Sequence, residues 1–263
     1  GGLKMGIING YKLASCHWNW MKTPEELPKK GEAFPILDEI RGIGFEEFDI
    51  NGTDQSLNEY WDEAEAKAVG DYGRSIGLAP NVFVHHTEVK WSEKDPDIMK
   101  RQLANFKRAT EIANAMGSKI ISTLAQRPYT ATPWRLNPRA CAQKEAFHLP
   151  DDYDFEADWN RLATTYRKLS RMATDAGLKF AIEGHVWSMV SNPHAMRNMI
   201  KDVNEKNFGI QLDTNHLIAQ RIDPEWTIHM IGGARIYNVH CKDNDMYSRG
   251  NIPAGCGITD YTE

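Results

Sequence analysis

Three short apolar runs, Lys179-Phe-Ala-Ile-Glu183, Phe208-Gly-Ile-Gln-Leu-Asp213 and Ile236-Tyr-Asn-Val-His240, each end in a residue that can bind a metal ion. Their last residues lie 30 and 27 positions apart, which suits one strand and one helix of a parallel α/β fold. In a barrel of such units the carboxyl ends of the strands converge on one face, where chemistry takes place. The sequence therefore predicts that the three end residues meet there.

Strand-like and helix-like segments alternate along the rest of the chain. Four strand-like runs, at residues 13–18, 44–50, 78–85 and 119–124, precede the three quoted above. Helix-like patterns cover residues 34–41, 56–76, 95–117, 158–176, 193–203 and 224–231. Such alternation is typical of a parallel sheet whose strands are connected by helices. We expect one α/β domain over residues 1–263, a (β/α)8 TIM barrel.

The strand count is seven, one short of a closed barrel. A seven-stranded open barrel would leave two long unpaired edges, which folded proteins avoid. We therefore expect the natural molecule to continue with a helix and an eighth strand, or a partner to close the gap. Residues 127–155, rich in Pro, Trp, Arg and Asp, break the alternation, and we interpret them as a long insertion or lid.

The composition is ordinary for a soluble globular protein, and the scattered cysteines favour a cytoplasmic enzyme. Apolar residues make up 41% and charged residues 25% of the chain. The net charge of −5 disfavours a duplex-binding protein, which usually carries a basic face. The four cysteines form no CxxC pair, so reduced thiols are the simplest interpretation. We expect no membrane partner, because no apolar run approaches a membrane span and no signal-peptide layout is present.

Glu183, Asp213 and His240 form a possible ligand set of two carboxylates and one imidazole. A divalent ion held by them would polarise hydroxyl and carbonyl oxygens of a bound sugar and stabilise an enediolate as a proton leaves the adjacent carbon. Manganese, magnesium, cobalt, iron and zinc all suit such ligands. Each acid taken alone is also typical of a solvated loop or a helix cap, so the metal hypothesis depends on the three strand ends together.

Three flanking residues are further candidates for this site. His216 follows the sixth strand and can support the metal, bind substrate or act as an acid or base, or simply pack at a helix start. His185 lies two residues after Glu183 and shares its side, as a second acid–base candidate or as a loop histidine. Lys242 follows the seventh strand by the same parity, as a ligand for a substrate oxygen or as an exposed loop lysine.

Residues at the ends of earlier strands are candidates for substrate binding. His17 and Trp18 end the first strand, where an aromatic ring beside a polar donor forms either a sugar-stacking wall or a packed barrel rim. His85 ends the third strand and Gln126 follows the fourth. We include all four in the candidate substrate pocket.

Three segments resemble the xylose-isomerase-like family of sugar (phosphate) isomerases and epimerases. They are Ala181-Ile-Glu183-Gly-His185, Gln211-Leu-Asp213-Thr-Asn-His216 and Asn238-Val-His240-Cys-Lys242-Asp243, and the turn from Gly255 to Tyr261 looks like the family's lead into its final helix. The resemblance implies a (β/α)8 barrel with a metal held by Glu183, Asp213, His240 and a second glutamate from the eighth strand, which this sequence lacks. It also implies that Glu183 can serve as the base.

By this resemblance we expect a metal-dependent isomerase or epimerase of a sugar or keto-sugar, with Mn²⁺ as the cofactor and Mg²⁺, Co²⁺ or Zn²⁺ as alternatives. The first alternative is a lyase of the same family, either a keto-sugar dehydratase or a subunit that cleaves C-glycosides after sugar oxidation. A non-catalytic sugar-binding barrel is the second, and an abasic-site nuclease is disfavoured by the net charge. We expect a homo-oligomer or hetero-oligomer that binds a small sugar or glycoside and no nucleic acid.

Overall fold

The computed structural model of the chain describes residues 7–8, 11–16, 31–87, 90–126, 151–186, 188–245, 252, 254–259 and 261. The strands in this part of the chain are β1 (Ile7–Ile8), β2 (Tyr11–Lys12), β3 (Ala14–Cys16), β4 (Glu47–Thr53), β5 (Ala79–His86), β6 (Ile120–Leu124), β7 (Lys179–Glu183), β8 (Phe208–Asp213) and β9 (Ile236–His240). The helices are α1 (Ala33–Ile43), α2 (Asp54–Glu59), α3 (Glu63–Ser75), α4 (Pro96–Met116), α5 (Phe155–Asp175), α6 (Pro193–Val203), α7 (Thr214–Ile218) and α8 (Pro224–Ile231).

The seven predicted strands are confirmed as β3 to β9. They form one sheet in which the order of the strands is their order along the chain. Each of β3, β4 and β5 is parallel to the strand that follows it, and β8 is parallel to β9. Strands β1 and β2 form a separate antiparallel pair. Sequential order and parallel direction are the arrangement that a (β/α)8 barrel requires, so the predicted fold class is confirmed.

The chain divides into two compact units. The first contains Gly1–Val89, Pro96–Thr123 and Leu169–Phe180, and the second contains Lys90–Asp95, Leu124–Lys168 and Ala181–Glu263. In the first unit Phe106 of α4 packs edge-on against Phe180, with ring centroids 5.5 Å apart. In the second unit Tyr166 of α5 stacks on Phe208 of β8 at 6.0 Å. All four rings are fully buried, and they mark where each unit has its core.

The predicted helix ends are confirmed by their backbone geometry. Gly117 and Gly177 follow α4 and α5 with φ of 88° and 75°, the left-handed conformation that glycine adopts without steric cost. Helices α6 and α8 begin with a proline, and the side chains of Asn192 and Asp223 accept the third backbone N–H at 3.1 Å and 3.0 Å.

One helix prediction was wrong in its boundaries. The segment predicted as a single helix over residues 56–76 contains two helices, α2 and α3, separated by Tyr60, Trp61 and Asp62. The capping box pairs Thr53 with Ser56, and the Asp62 side chain caps α3 by accepting the Glu65 N–H at 2.7 Å. The break buries Trp61, which is 1% exposed, so tertiary packing overrides the helical propensity of the segment.

Three further expectations concern the insertion, a membrane span and the number of domains. Residues 127–150 of the predicted insertion lie outside the described residues, and α5 begins at Phe155. Among the described helices, none combines the length and the apolar composition that a bilayer crossing requires. The single-domain prediction stays a prediction.

Candidate metal centre

The carboxyl ends of β7, β8 and β9 carry a cluster of ionisable side chains in the second unit. Glu183, Asp213 and His240 are the last residues of these three strands. Asp213 and His240 are direct partners in the parallel register, and the Gly184 N–H donates to the Gln211 carbonyl at 3.4 Å beside them. The apolar runs that precede the three residues form the strands themselves. Because the strands run parallel, their last residues come together at one edge of the sheet.

Asp213 uses its two carboxylate oxygens differently. Oδ1 caps α7 by accepting the backbone N–H groups of Asn215 at 2.9 Å and His216 at 3.3 Å. Oδ2 accepts a hydrogen bond from Lys242 Nζ at 2.7 Å, and it lies 3.8 Å from both His216 Nε2 and His240 Nδ1. The side chain is fully buried. The cap therefore fixes the carboxylate and directs one oxygen toward the cationic and imidazole groups.

Glu183 is held by two hydrogen-bond donors. Gln211 Nε2 donates to Oε2 at 2.9 Å, and His240 Nδ1 lies 3.2 Å from Oε1. Burial alone would raise the pKa of Glu183, but the attraction of His240, of Lys242 and of His216 holds that pKa well below its ordinary value. Conversely, burial alone would lower the pKa of His240, but Glu183 raises it above its ordinary value. The glutamate is therefore an anion at neutral pH, as a metal ligand must be.

His216 and His185 form a pair beside the carboxylates. Their ring centroids are 3.8 Å apart, and the planes are inclined by 49°. Burial lowers the pKa of His216 to about 4, because desolvation of the charged ring outweighs the attraction of Asp213 and Glu183. His185 Nδ1 lies 2.8 Å from the Val186 carbonyl, which can only accept, so Nδ1 carries a proton. Because its pKa is about 4, His216 is a neutral imidazole at pH 7.

The side chains present fit a divalent metal ion. Ligand atoms of Glu183, Asp213 and His216 all lie within 4.8 Å of one another. Bonds of ~2.0–2.2 Å place opposite ligands of one ion up to ~4.4 Å apart, so only small movements are needed. In the described part of the chain, His240 Nε2 is buried and has no hydrogen-bond partner. The ring faces both carboxylates through Nδ1, at 3.2 Å from Glu183 Oε1 and 3.8 Å from Asp213 Oδ2. Two carboxylates and two imidazole rings are a donor set suited to such an ion.

Several residues that support the cluster were missed in the sequence. Gln211 lies two residues before Asp213 on the same strand, and this period of two is the signal that would have found it. Thr214 Oγ1 accepts the Lys242 N–H at 3.0 Å and donates to the Lys242 carbonyl at 2.6 Å. The buried Asp243 carboxylate accepts four backbone N–H groups, those of Asn244, Gly255, Gly257 and Thr259, at 2.9 to 3.1 Å.

The sequence-predicted residues divide into four groups. Glu183, Asp213, His240, His216, His185 and Lys242 come together in the second unit, as described above. Gln126 is in the same unit, but its Oε1 accepts the backbone N–H groups of Trp91 and Ser92 and so holds that loop. His85 is in the first unit, fully buried against Asp54 at 2.8 Å. His17 and Trp18 lie outside the described residues.

Comparison with known proteins finds a matching family and a named relative. A family model described as "Xylose isomerase-like TIM barrel" matches residues 37–263. The inosose dehydratase of Clostridium botulinum (strain Alaska E43 / Type E3) is 26% identical over 134 residues. That match covers 51% of this chain and 41% of the relative, so it spans about two fifths of the relative's length.

Solved structures with the same fold include two enzymes at low identity. The probable 3-DHS dehydratase AsbF of Bacillus anthracis superimposes with a TM-score of 0.70 and 14% identity, over 95% of this chain and 86% of the other. The 3-keto-D-glucoside 4-epimerase YcjR of E. coli gives a TM-score of 0.64 and 17% identity, over 84% and 77%. At such identities the likeness shows the fold alone.

Proposed function

Because this chain belongs to the xylose isomerase-like TIM barrel family, we propose that its ionisable cluster is the metal centre of a sugar or keto-sugar isomerase or epimerase. The observation that carries the proposal is the meeting of Glu183, Asp213 and His216 within 4.8 Å, with His240 against both carboxylates. The similar proteins include one named as a keto-glucoside epimerase and two named as dehydratases, which favours a carbonyl-containing sugar as the substrate class.

The metal ligands we propose are Glu183, Asp213 and His240, with His216 as a further candidate. Mn²⁺ is the expected ion, since carboxylate and imidazole ligands suit it. When bound, the ion supplies Lewis-acid stabilisation of the negative charge that develops on the substrate oxygens. Gln211 keeps Glu183 oriented through the 2.9 Å hydrogen bond to Oε2.

The surrounding side chains would move the proton and hold the sugar. Glu183 is ionised and accepts the proton from the carbon beside the carbonyl. His216 is neutral at pH 7, so its ring can accept a proton from the substrate and return it in a later step. The adjacent ring of His185 contacts the His216 ring and holds it in position. The Lys242 side chain is 36% exposed, and its ammonium group, which donates to Asp213 Oδ2, can also bind a hydroxyl or anionic oxygen of the substrate.

The metal assignment is tested by measuring metal content with a matched control. Asp213 and Asp223 both cap a helix with their side chains, but only Asp213 belongs to the cluster. After incubation with Mn²⁺ and removal of excess ion, we expect about one equivalent in the parent and in Asp223→Ala. We expect almost none in Asp213→Ala, measured by inductively coupled plasma mass spectrometry. Full retention of metal by Asp213→Ala would overturn the ligand assignment.

A lyase is the second candidate function, and the likeness to two dehydratases favours it. Reaction in D₂O with a panel of ketoses and 3-oxo-glycosides, followed by NMR, separates the two. An epimerase introduces deuterium at the carbon that loses its proton, an isomerase introduces it at the adjacent carbon of the enediolate, and neither releases a fragment of the substrate. A lyase forms an unsaturated product and releases water or the aglycone. No deuterium exchange on any of these substrates by the Mn²⁺-loaded protein would contradict both and leave a barrel that only binds sugar.

A further inference from the structure

Lys242 lies just beyond the last pair of the ladder between β8 and β9. That pair is Asp213 and His240. The chain turns into α7 at Thr214, so the backbone of β8 ends before it could pair with Lys242. Backbone N–H and C=O groups at such a place need other partners, and these partners decide how firmly Lys242 is held.

A single hydroxyl group, that of Thr214, bonds to both backbone groups of Lys242. Thr214 Oγ1 accepts the Lys242 N–H at 3.0 Å and donates to the Lys242 carbonyl at 2.6 Å. These two bonds hold the peptide planes on either side of the Lys242 Cα, so they fix the direction of its Cα–Cβ bond. Thr214 is itself buried and branched at Cβ, which restricts its χ1 angle and gives the hydroxyl a defined direction.

The Tyr261 hydroxyl is a second group on the same carbonyl. It donates to the Lys242 carbonyl at 2.8 Å and lies 3.0 Å from Thr214 Oγ1. A carbonyl oxygen has two lone pairs, so it accepts both hydroxyl groups at once. Because Tyr261 is 39% exposed, its replacement by phenylalanine removes this hydrogen bond without opening a cavity in the core.

The turn that precedes Tyr261 is anchored on Asp243, the neighbour of Lys242. The buried Asp243 carboxylate accepts, at 2.9 to 3.1 Å, three backbone N–H groups of the turn, those of Gly255, Gly257 and Thr259. A Cβ on Gly257 would lie 2.3 Å from Asp243 Oδ1, so a glycine is needed for this close approach. The anchored turn ends two residues before Tyr261 and therefore sets where its hydroxyl group lies.

The other end of Lys242 reaches the ionisable cluster. Its Nζ donates to Asp213 Oδ2 at 2.7 Å. A long lysine side chain loses conformational entropy when its ammonium group is held in one place. A backbone that is already fixed lowers this cost, since only the side-chain rotations remain to be restricted. The hydroxyl groups thus act on the ammonium group through the backbone.

We propose that Thr214 and Tyr261 are positioning residues, whose hydroxyl groups fix the backbone of Lys242 and so direct its ammonium group to Asp213 and to an oxygen of the substrate. The role in substrate binding rests on the function proposed above, whereas the position of the ammonium group requires neither metal nor sugar. The two roles can therefore be tested separately.

The position of the ammonium group is measured by NMR on protein with ¹⁵N-labelled lysine, without added metal or sugar. Ammonium protons held in a hydrogen bond exchange slowly with water, and the Lys242 signal is assigned by its loss in Lys242→Arg. We expect exchange at least about fivefold faster in Thr214→Val, the factor for one lost hydrogen bond. Thr214→Ser restores the hydroxyl and should exchange within about twofold of the parent. Parental exchange in Thr214→Val, or no recovery in Thr214→Ser, would overturn the proposal.

Tyr261→Phe and Tyr237→Phe form a matched pair of controls. Each removes one tyrosine hydroxyl from the second unit, and that of Tyr237 donates to the carbonyls of Lys206 and Phe208 at 3.2 Å and 3.3 Å, near the start of β9. Both variants should lower the thermal midpoint slightly, but only Tyr261→Phe should speed the exchange of the Lys242 protons. Parental exchange in Tyr261→Phe, or equal acceleration in Tyr237→Phe, would show a structural role alone.

The role in substrate binding is measured on a sugar that the deuterium-exchange panel identifies. In Thr214→Val we expect KM to rise about fivefold, kcat to stay within about twofold and the Mn²⁺ content to equal that of the parent. An unchanged KM, or loss of Mn²⁺, would overturn this role of Thr214. If no sugar of the panel reacts, the proposed function fails, while the exchange of the Lys242 protons still decides how the ammonium group is positioned.

Discussion

Two helical glycines should respond in opposite directions to the same substitution. A Cβ on Gly70 of α3 would lie 1.9 Å from the carbonyl oxygen of Met116 and 2.8 Å from its carbonyl carbon, so α3 must move away from the C-terminal end of α4. Arg74 Nη1 donates to that same carbonyl at 2.9 Å, so the hydrogen bond would be disturbed too. Gly42 of α1 is exposed, and a Cβ there would meet nothing within 4 Å.

The magnitudes follow from these contacts. Overpacking costs ~1–3 kcal/mol and a weakened hydrogen bond ~1 kcal/mol, while alanine in place of a helical glycine returns ~1 kcal/mol. We expect Gly70→Ala to lower the free energy of unfolding by ~1–3 kcal/mol and Gly42→Ala to raise it by ~0.5–1 kcal/mol. At ~2–4 °C per kcal/mol for a chain of this size, the midpoints of thermal unfolding should move apart by several degrees.

Circular dichroism at 222 nm during heating measures both variants beside the parent. Gly42→Ala serves as the control, because it makes the same chemical change without the close approach. If Gly42→Ala behaved as expected while Gly70→Ala unfolded at or above the parental midpoint, the packing of α3 on α4 described above would be refuted.

Further predictions concern the metal centre. In the metal-free protein the pKa of His216 should be about 4, against an ordinary value of 6.5. Between these two pH values the unfolded ring takes up a proton that the folded ring does not. The contribution of His216 to the free energy of unfolding is therefore present above pH 6.5 and is lost as the pH falls toward 4. Nitrogen-15 NMR of the histidine rings measures this value, and titration near 6.5 would contradict the burial argument. Gln211→Leu removes the donor to Glu183 Oε2 and should weaken Mn²⁺ binding by ~10–100-fold, measured by calorimetry. Unchanged affinity would mean that Glu183 needs no such orientation.

The strand ends could be read from the sequence because their physical cause is local. A buried parallel strand needs a continuous apolar run, and in β7 and β8 that run stops where the chain reaches the chemistry of the barrel face. Helix starts at Pro193 and Pro224 were equally visible, because a capping side chain and a fixed proline φ both act within one turn.

What the sequence did not show depends on contacts between distant segments. The break at Trp61 exists because the indole is buried, and no local signal outweighs the helix formers on either side. The clamp on Asp243 joins it to Gly255, Gly257 and Thr259, 12 to 16 residues away, which spacing alone does not reveal. The 3.8 Å contact between His185 and His216 likewise follows from how two strand ends are placed side by side.

Asp213 shows why single-residue interpretations of a sequence stay ambiguous. An aspartate after an apolar run reads either as a helix cap or as a metal ligand, and the structure makes it a cap through Oδ1 while Oδ2 faces Lys242, His216 and His240. The cap is what holds the second oxygen in place, since a carboxylate bonded to two backbone N–H groups cannot rotate freely. The helix cap and the candidate metal ligand are therefore two different oxygen atoms of the same side chain. Asp213→Asn should separate them, because asparagine caps a helix about as well but lacks the charge that a divalent ion needs. We expect that variant to lose Mn²⁺ and to unfold above Asp213→Ala, because it keeps the cap, but below the metal-free parent, because an amide Nδ2 cannot accept the hydrogen bond of Lys242 Nζ. A midpoint as low as that of Asp213→Ala would show that the charge, and not the cap, holds α7 in place.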